Sequence, residues 1–365
     1  MNNQPGNFYI SPAPHLHSGR SVPVIMFTVF ISLLPALAFS VYQFGLASLY
    51  VTALAVISCL VFELLGNKIK KEPISITDGS AAVTGILFAF SLPPYVPAYI
   101  VIAGSFFAII IVKAFFGGLG NNWINPAAAA RIFVMFAWVP ELTGTCWIPA
   151  CTSAQNSFWV FERLSRFKFD ALSFATPLQQ LARLEGAIRT GASPGTGIYE
   201  LISPENLKNL FWGIGPNVSG CIGEVPKLAL LAGAFFLFAR RIVFPVIPFT
   251  YIIFYILLNT FIMNPFWSDP SAWLRYNLFH LLTGGFILGA FFMATDMVTS
   301  PITPKGHLIF AAGLALITFI IRKGPGYPEG VSFAIVIMNA FVPLINKFSR
   351  PAVFGTGSKK SGEKK

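Results

Sequence analysis

Apolar runs of about 15 to 25 residues recur along the chain, each closed by a short polar or Gly/Pro-rich turn. A helix of about twenty apolar residues crosses a hydrocarbon core of about 30 Å. The first run covers about 23–44 and the second about 46–66, ending at Gly66 just before Lys68, Lys70 and Lys71. A short third segment, about 79–96, opens on Asp78-Gly79-Ser80 and stops at Pro93-Pro94. The fourth covers about 98–116, and the fifth about 126–139, where Asn125 is placed to cap a helix with Pro126 at its first position. After a polar interval, roughly 142–224, further runs lie at about 225–239, 242–263, 276–295, 307–321 and 331–347.

Lysine and arginine gather on the cytoplasmic side of membrane spans. Lys68, Lys70 and Lys71 therefore place their loop, and the N-terminus with it, in the cytoplasm. Five crossings then put the 142–224 interval outside, and Arg240-Arg241 returns to the inside. The tail, with Lys359, Lys360, Lys364 and Lys365, also ends in the cytoplasm. Arg322 and Lys323 alone fall on the wrong side of this count, which implies burial against a partner or a miscounted span.

Thr84-Gly85-Ile86-Leu87-Phe88-Ala89-Phe90, followed by Pro93, Pro94 and Pro97, echoes Leu288-Gly289-Ala290-Phe291-Phe292-Met293-Ala294, followed by Pro301 and Pro304. Short, Gly/Pro-interrupted segments at matching positions point to broken helices around a midplane site. The expected fold is an all-α polytopic membrane protein of about ten transmembrane helices in two inverted five-helix repeats. Its parts are a cytoplasmic segment 1–22, a first repeat 23–141, an extracytoplasmic loop 142–224, a second repeat 225–347 and a basic cytoplasmic tail 348–365.

Composition agrees: of 365 residues 55% are hydrophobic and only 11% charged, with a mean hydropathy of +0.69. Soluble domains carry about 25% charged residues. The net charge of +11 sits at span ends, so it reads as membrane anchoring and not as a nucleic-acid surface. Four cysteines are too few for a disulfide scaffold. Cys146, Cys151 and Cys221 border the outer interval, where a disulfide among them is open, while Cys59 reads as an apolar filler. His15 and His17 have no third ligand nearby and read as an exposed tail. Ionisable residues in or beside spans are functional candidates by default: Glu63, Lys113, Arg131, Glu141, His280 and Asp296. Asp296, beside the small-residue helix of the second half, and Glu63 are the ion-path candidates. His280, on an apolar face, reads as a hydrogen-bonded packing residue, and Arg131, a functional candidate, is equally placed to brace the Gly-rich turn before it.

The stretch Asp170-Ala171-Leu172-Ser173-Phe174-Ala175-Thr176-Pro177-Leu178 lies inside the polar interval. Local physics reads Thr176 as an N-cap, with Pro177 at the first helical position, Gln179 three residues on and an apolar stripe of Leu178, Leu181, Ala182 and Leu184. The same stretch resembles the flavinylation motif of the membrane subunits of the Rnf complex and of the sodium-pumping NADH:quinone oxidoreductase. Phe174 stands where that pattern has a small residue. Other segments are similar to the family in order along the chain: Ser11–His15 with His17–Val22, Asp78–Ala81, Asn125–Arg131, Thr295–Pro301, and Pro325–Gly330 with Asn339. The short N-terminal segment sides with the D-subunit branch of Rnf.

The resemblance implies an ion-translocating redox complex in a bacterial or archaeal cytoplasmic membrane, of which this chain is one subunit, inactive alone. It implies FMN held by Thr176 through a phosphoester, with Asp170, Ser173 and Pro177 as motif support and a separate flavin transferase for attachment. It further implies a noncovalent riboflavin in the bundle, for which the repeat interface near Gly85 and Gly289 is the natural place. Electrons would pass between ferredoxin- and NAD-linked partners, flavin- and iron–sulfur-bearing, with Na⁺ or H⁺ transport coupled to them. No Gly-x-Gly-x-x-Gly fingerprint and no cysteine cluster occur, so nucleotide and ferredoxin chemistry belongs to other subunits. The architecture alone equally suits an inverted-repeat channel or transporter for a small solute.

Overall fold

The computed structural model describes residues 21–71, 75–143, 176–189, 196–214, 218–262, 266, 269–324 and 329–351. Among them all regular structure is helical. In chain order the helices are α1 (Val22–Phe44), α2 (Leu46–Lys70), α3 (Ser80–Phe90), α4 (Ala98–Ala114), α5 (Pro126–Ala137), α6 (Val139–Thr143), α7 (Pro177–Arg189), α8 (Thr196–Leu201), α9 (Pro204–Trp212), α10 (Lys227–Ala239), α11 (Val246–Ile262), α12 (Pro270–Leu282), α13 (Phe286–Met293), α14 (Pro304–Lys323) and α15 (Val331–Phe348).

A helix lies on each of the ten apolar segments, but their lengths differ from ten straight crossings. α1, α2, α14 and α15 are long and apolar enough to span, and α12 with α13 forms a fifth candidate bent by 66°. α3, α4, α5, α10 and α11 have 10–17 residues. Large apolar side chains such as Phe27, Ile57, Phe249, Phe261, Ile320 and Phe341 are exposed along these helices, as lipid contact requires. The chain is an all-α, polytopic membrane protein.

The short helices break for visible reasons. α3 ends at Ser91 before Pro93 and Pro94, and its last carbonyls would be orphaned at depth. The irregular segment 218–226 meets them: Ile222 N–H donates to Leu92 O (2.9 Å) and Gly223 N–H to Phe90 O (2.8 Å). Irregular backbone is tolerated in a membrane protein only where it is buried or lines a cavity. The α12–α13 break turns on Gly284 and Gly285, at φ +69° and +64°, a region that disfavours side chains. The sequence reading of one continuous span over 276–295 is therefore corrected. Asp269 caps α12 by accepting from Ser271 N–H and Ala272 N–H.

Small residues let backbones touch where helices cross. A Cβ at Gly85 would sit 2.7 Å from Val56 Cα on α2. One large core runs through the bundle. A second cluster at one end packs Leu181, Ile198, Ile202 and Leu210 of α7–α9 and the residues joining them onto Tyr276 and Phe279 of α12. The polar interval thus folds partly as a helical layer, of which the sequence reading had named only α7.

Candidate functional site

Three places gather chemistry, and the first is the start of α7. Thr176 Oγ1 accepts from Gln179 N–H (3.3 Å), and Gln179 Oε1 accepts from Thr176 N–H (3.1 Å). This reciprocal pair is the capping box read from the sequence, with Pro177 at the first helical position. Thr176 is 2% exposed. Asp170 and Ser173 lie outside the described residues, as do Cys146, Cys151, His15 and His17.

α7 is fastened at its far end. Lys323 Nζ donates to both oxygens of Glu185 at 2.9 Å, Tyr276 Oη donates to Glu185 Oε1 at 2.6 Å, and His280 Nε2 lies 3.3 Å from that same oxygen. Burial pushes the Glu185 carboxyl up, but the His280 hydrogen bond and the Lys323 charge outweigh it and hold the group well below the usual carboxylate range. Arg322 beside it donates to the carbonyls of His280 (2.6 Å) and Thr283 (2.8 Å), with its guanidinium 5.6 Å from the centre of the Tyr255 ring. The two cations that defied the positive-inside count are thus buried against partners within the chain. His280 is a packed, hydrogen-bonding residue, as expected.

The second place surrounds Lys113, on a widened π-type stretch of α4. Lys113 Nζ donates to Glu63 Oε1 (2.5 Å) and to Ser80 Oγ (2.6 Å), and Ser75 Oγ donates to the same Glu63 oxygen (3.0 Å). Glu63 Oε2 is buried without a hydrogen-bond partner. Lys113 lines two cavities. One is shared with Glu63 and Asn67. The other is walled by Thr84, Leu87, Asn122, Asn125, Phe292 and Asp296 among others. Of the two ion-path candidates, Glu63 pairs with Lys113 directly, while Asp296 lies on the wall of the second cavity, which Lys113 also borders. Asn122 Oδ1, on the second cavity, is buried and unpartnered. Gly85 and Gly289 do not line it: they are close-packing points against Val56 and Val331, one residue or a few from the cavity wall.

The third place joins the halves of the chain. Asn125 caps α5 through Ala127 N–H (3.0 Å) and Ala128 N–H (3.2 Å), and its amide donates to Met293 O (3.0 Å). Arg131 pairs at 2.9 Å with Glu329, just before α15, a partner in the other half of the chain from the Gly-rich turn before α5. Glu329, Glu224 and Cys221 each offer a ligand atom within 4.8 Å of the others. Cys221 is a buried thiol that donates to Ser91 O (3.0 Å), and Glu224 accepts from Gly284 N–H (2.5 Å). Every member except the Arg131 Nη1 atom has a protein partner here, which makes the group a brace for the broken helices. Cys59 is buried in the core as expected. Glu141 lies in the first turn of α6.

The family profile described as NQR2, RnfD, RnfE matches residues 9–355. The chain is 41% identical over 353 residues to the D subunit of the Na⁺-translocating ferredoxin:NAD⁺ oxidoreductase complex of Acetobacterium woodii, covering 96% of each chain. It is 39% identical to the D subunit of the proton-translocating ferredoxin:NAD⁺ oxidoreductase complex of Clostridium ljungdahlii, again over 96% of each. It is 32% identical to the D subunit of the ion-translocating oxidoreductase complex of Aliivibrio salmonicida, over 95% of this chain and 98% of that one. With a family profile spanning nearly its whole length, the chain belongs to the NQR2, RnfD, RnfE family.

Proposed function

We propose that this chain is a membrane subunit of an ion-translocating ferredoxin:NAD⁺ oxidoreductase complex and carries FMN on Thr176. The observation that carries the reading is the seat of Thr176 at the head of α7. An ester oxygen keeps a lone pair, so Oγ1 can be esterified and still accept from Gln179 N–H. Pro177 has no N–H, and Gln179 N–H already goes to Thr176 Oγ1, so Leu178 N–H and the helix dipole are what the first turn would offer a phosphate. On this reading Thr176 would hold the group and the first turn of α7 would orient its phosphate.

The cavity around Asn122 would take the second flavin as riboflavin. Its walls combine apolar Val83, Leu87 and Phe292 with the polar Thr84, Asn125 and Asp296, and the orphaned Asn122 Oδ1 can accept from an N–H or hydroxyl. Bound flavins would supply the electron transfer. The protein sets their position and surroundings. Glu63, Lys113 and Asp296 would offer the coupling ion or proton charged stations beside that cavity.

The finer architecture follows the same reading. Ten crossings in two inverted five-helix halves, with both termini and the Lys68–Lys71 loop in the cytoplasm of a bacterial or archaeal cell, place α7 outside. The pairing of α1 with α10 and of α5 with α15, first with first and last with last, supports related halves. Maturation then needs a flavin transferase, and turnover needs the flavin- and iron–sulfur-bearing subunits. In the native complex, covalent flavin should fluoresce on this chain in a denaturing gel and vanish in Thr176→Val. A dark wild-type band, with the purified chain conducting a small solute alone, would replace this reading with a channel.

A further inference from the structure

α7 has 13 residues and a narrow apolar stripe, so on its own it is marginal as a helix. Two contacts seat it. Near its start, Leu178 lies against the α12–α13 break: a Cβ added at Gly284 would stand 2.5 Å from Leu178 Cδ2 and 2.7 Å from Arg322 Nη2. Two turns later, Glu185 enters a pocket of donors from two bundle helices, Lys323 at the end of α14 and Tyr276 and His280 on α12. The Lys323 side chain is 6% exposed and that of Glu185 12%, so neither is a solvated surface charge.

We propose that Glu185 is a positioning residue: clamped by Lys323, Tyr276 and His280, it holds the helix that Thr176 begins against the broken α12–α13 helix. The clamp thereby fixes the group carried at Thr176 relative to the membrane bundle. This rests on the reading of Thr176 as the flavin attachment point. A helix docked only by Leu178 and Leu181 can slide or lift by a fraction of a turn, whereas a carboxylate held by a lysine on both oxygens has one position. Removing either charge leaves the other buried and uncompensated, which drives α7 off its seat. Replacing Lys323 by arginine keeps the cation and its hydrogen bonds.

The test uses the intact complex with Glu185→Gln, Lys323→Met, Lys323→Arg and Gly284→Ala. The last strains the break and presses on both Leu178 and Arg322, while substituting none of the clamp's own residues. Flavin on the Thr176 peptide is expected in all four variants. In Glu185→Gln and Lys323→Met the anisotropy of the covalent flavin should fall, and electron delivery through it should slow. Lys323→Arg should stay near wild type, and Gly284→Ala should lower anisotropy as the charge variants do. Wild-type anisotropy and rate in Glu185→Gln and Lys323→Met, with flavin attached, would overturn the clamp. Wild-type protein without flavin on that peptide would overturn the Thr176 reading instead. Backbone hydrogen exchange over 177–189 then decides the clamp alone: it must rise in Glu185→Gln, and unchanged exchange refutes it.

Discussion

Breaking the Glu63–Lys113 pair should cost far more than removing it whole. The side chains are 4% and 5% exposed and meet at 2.5 Å, so neither charge has water to fall back on. Two unit charges about 4 Å apart attract by about 4 kcal/mol at an effective dielectric of about 20. In Lys113→Met, Glu63 keeps only the Ser75 hydroxyl on one oxygen, and its other oxygen is already unpartnered. Each single truncation, Lys113→Met or Glu63→Leu, should therefore destabilise by about 3–5 kcal/mol. The double variant replaces the pair with apolar volume and should fall well short of the sum, giving a coupling of about 3 kcal/mol. The assay is reversible unfolding of the four proteins in mixed micelles, read by tryptophan fluorescence. Single effects that add to within about 0.5 kcal/mol would show that the two side chains do not depend on each other, and would refute the buried-pair argument.

Gly85→Ala should destabilise by about 1–3 kcal/mol in the same unfolding assay, because its Cβ would meet Val56 backbone, which cannot yield without parting α2 from α3. Asn122→Ala should weaken retention of noncovalent flavin roughly tenfold, measured by flavin released on mild denaturation, since a buried acceptor loses its ligand. The Glu185 carboxyl titrates below its ordinary value of 4.5, so its contribution is fully present above that pH and lost as pH falls through the depressed folded value. Exchange protection of 177–189 should thus stay level from about pH 8 to about pH 5, with no midpoint near neutrality.

Local signals carried much of this into the sequence. Thr176-Pro177-x-Gln179 and Asn125-Pro126 gave helix starts because capping is decided within four residues. The apolar segments located helices on all ten runs, yet not their lengths, because Pro93, Pro94, Gly284 and Gly285 end helices in ways that depend on what satisfies the freed carbonyls. Here segment 218–226 does so, from about 130 residues away in the chain. Lys323 looked misplaced because its partner, Glu185, sits in another segment. A trace of that partnership was present: Glu185 follows Leu178 and Leu181 on one face at helical spacing, an acid where the stripe asks for an apolar residue. The pairing of Glu63 with Lys113, and the cavity that Lys113 borders together with Asp296, are tertiary, and no periodicity encodes them. The motif around Thr176 was legible as a family resemblance, while its geometry spoke only of capping.

The chemistry assigned to Thr176 stands on one covalent bond. Mass spectrometry of the tryptic peptide 169–183 from native complex reads that bond directly. The expected result is a peptide heavier by FMN less one water, with the added mass on Thr176. An unmodified peptide from active complex would contradict the account.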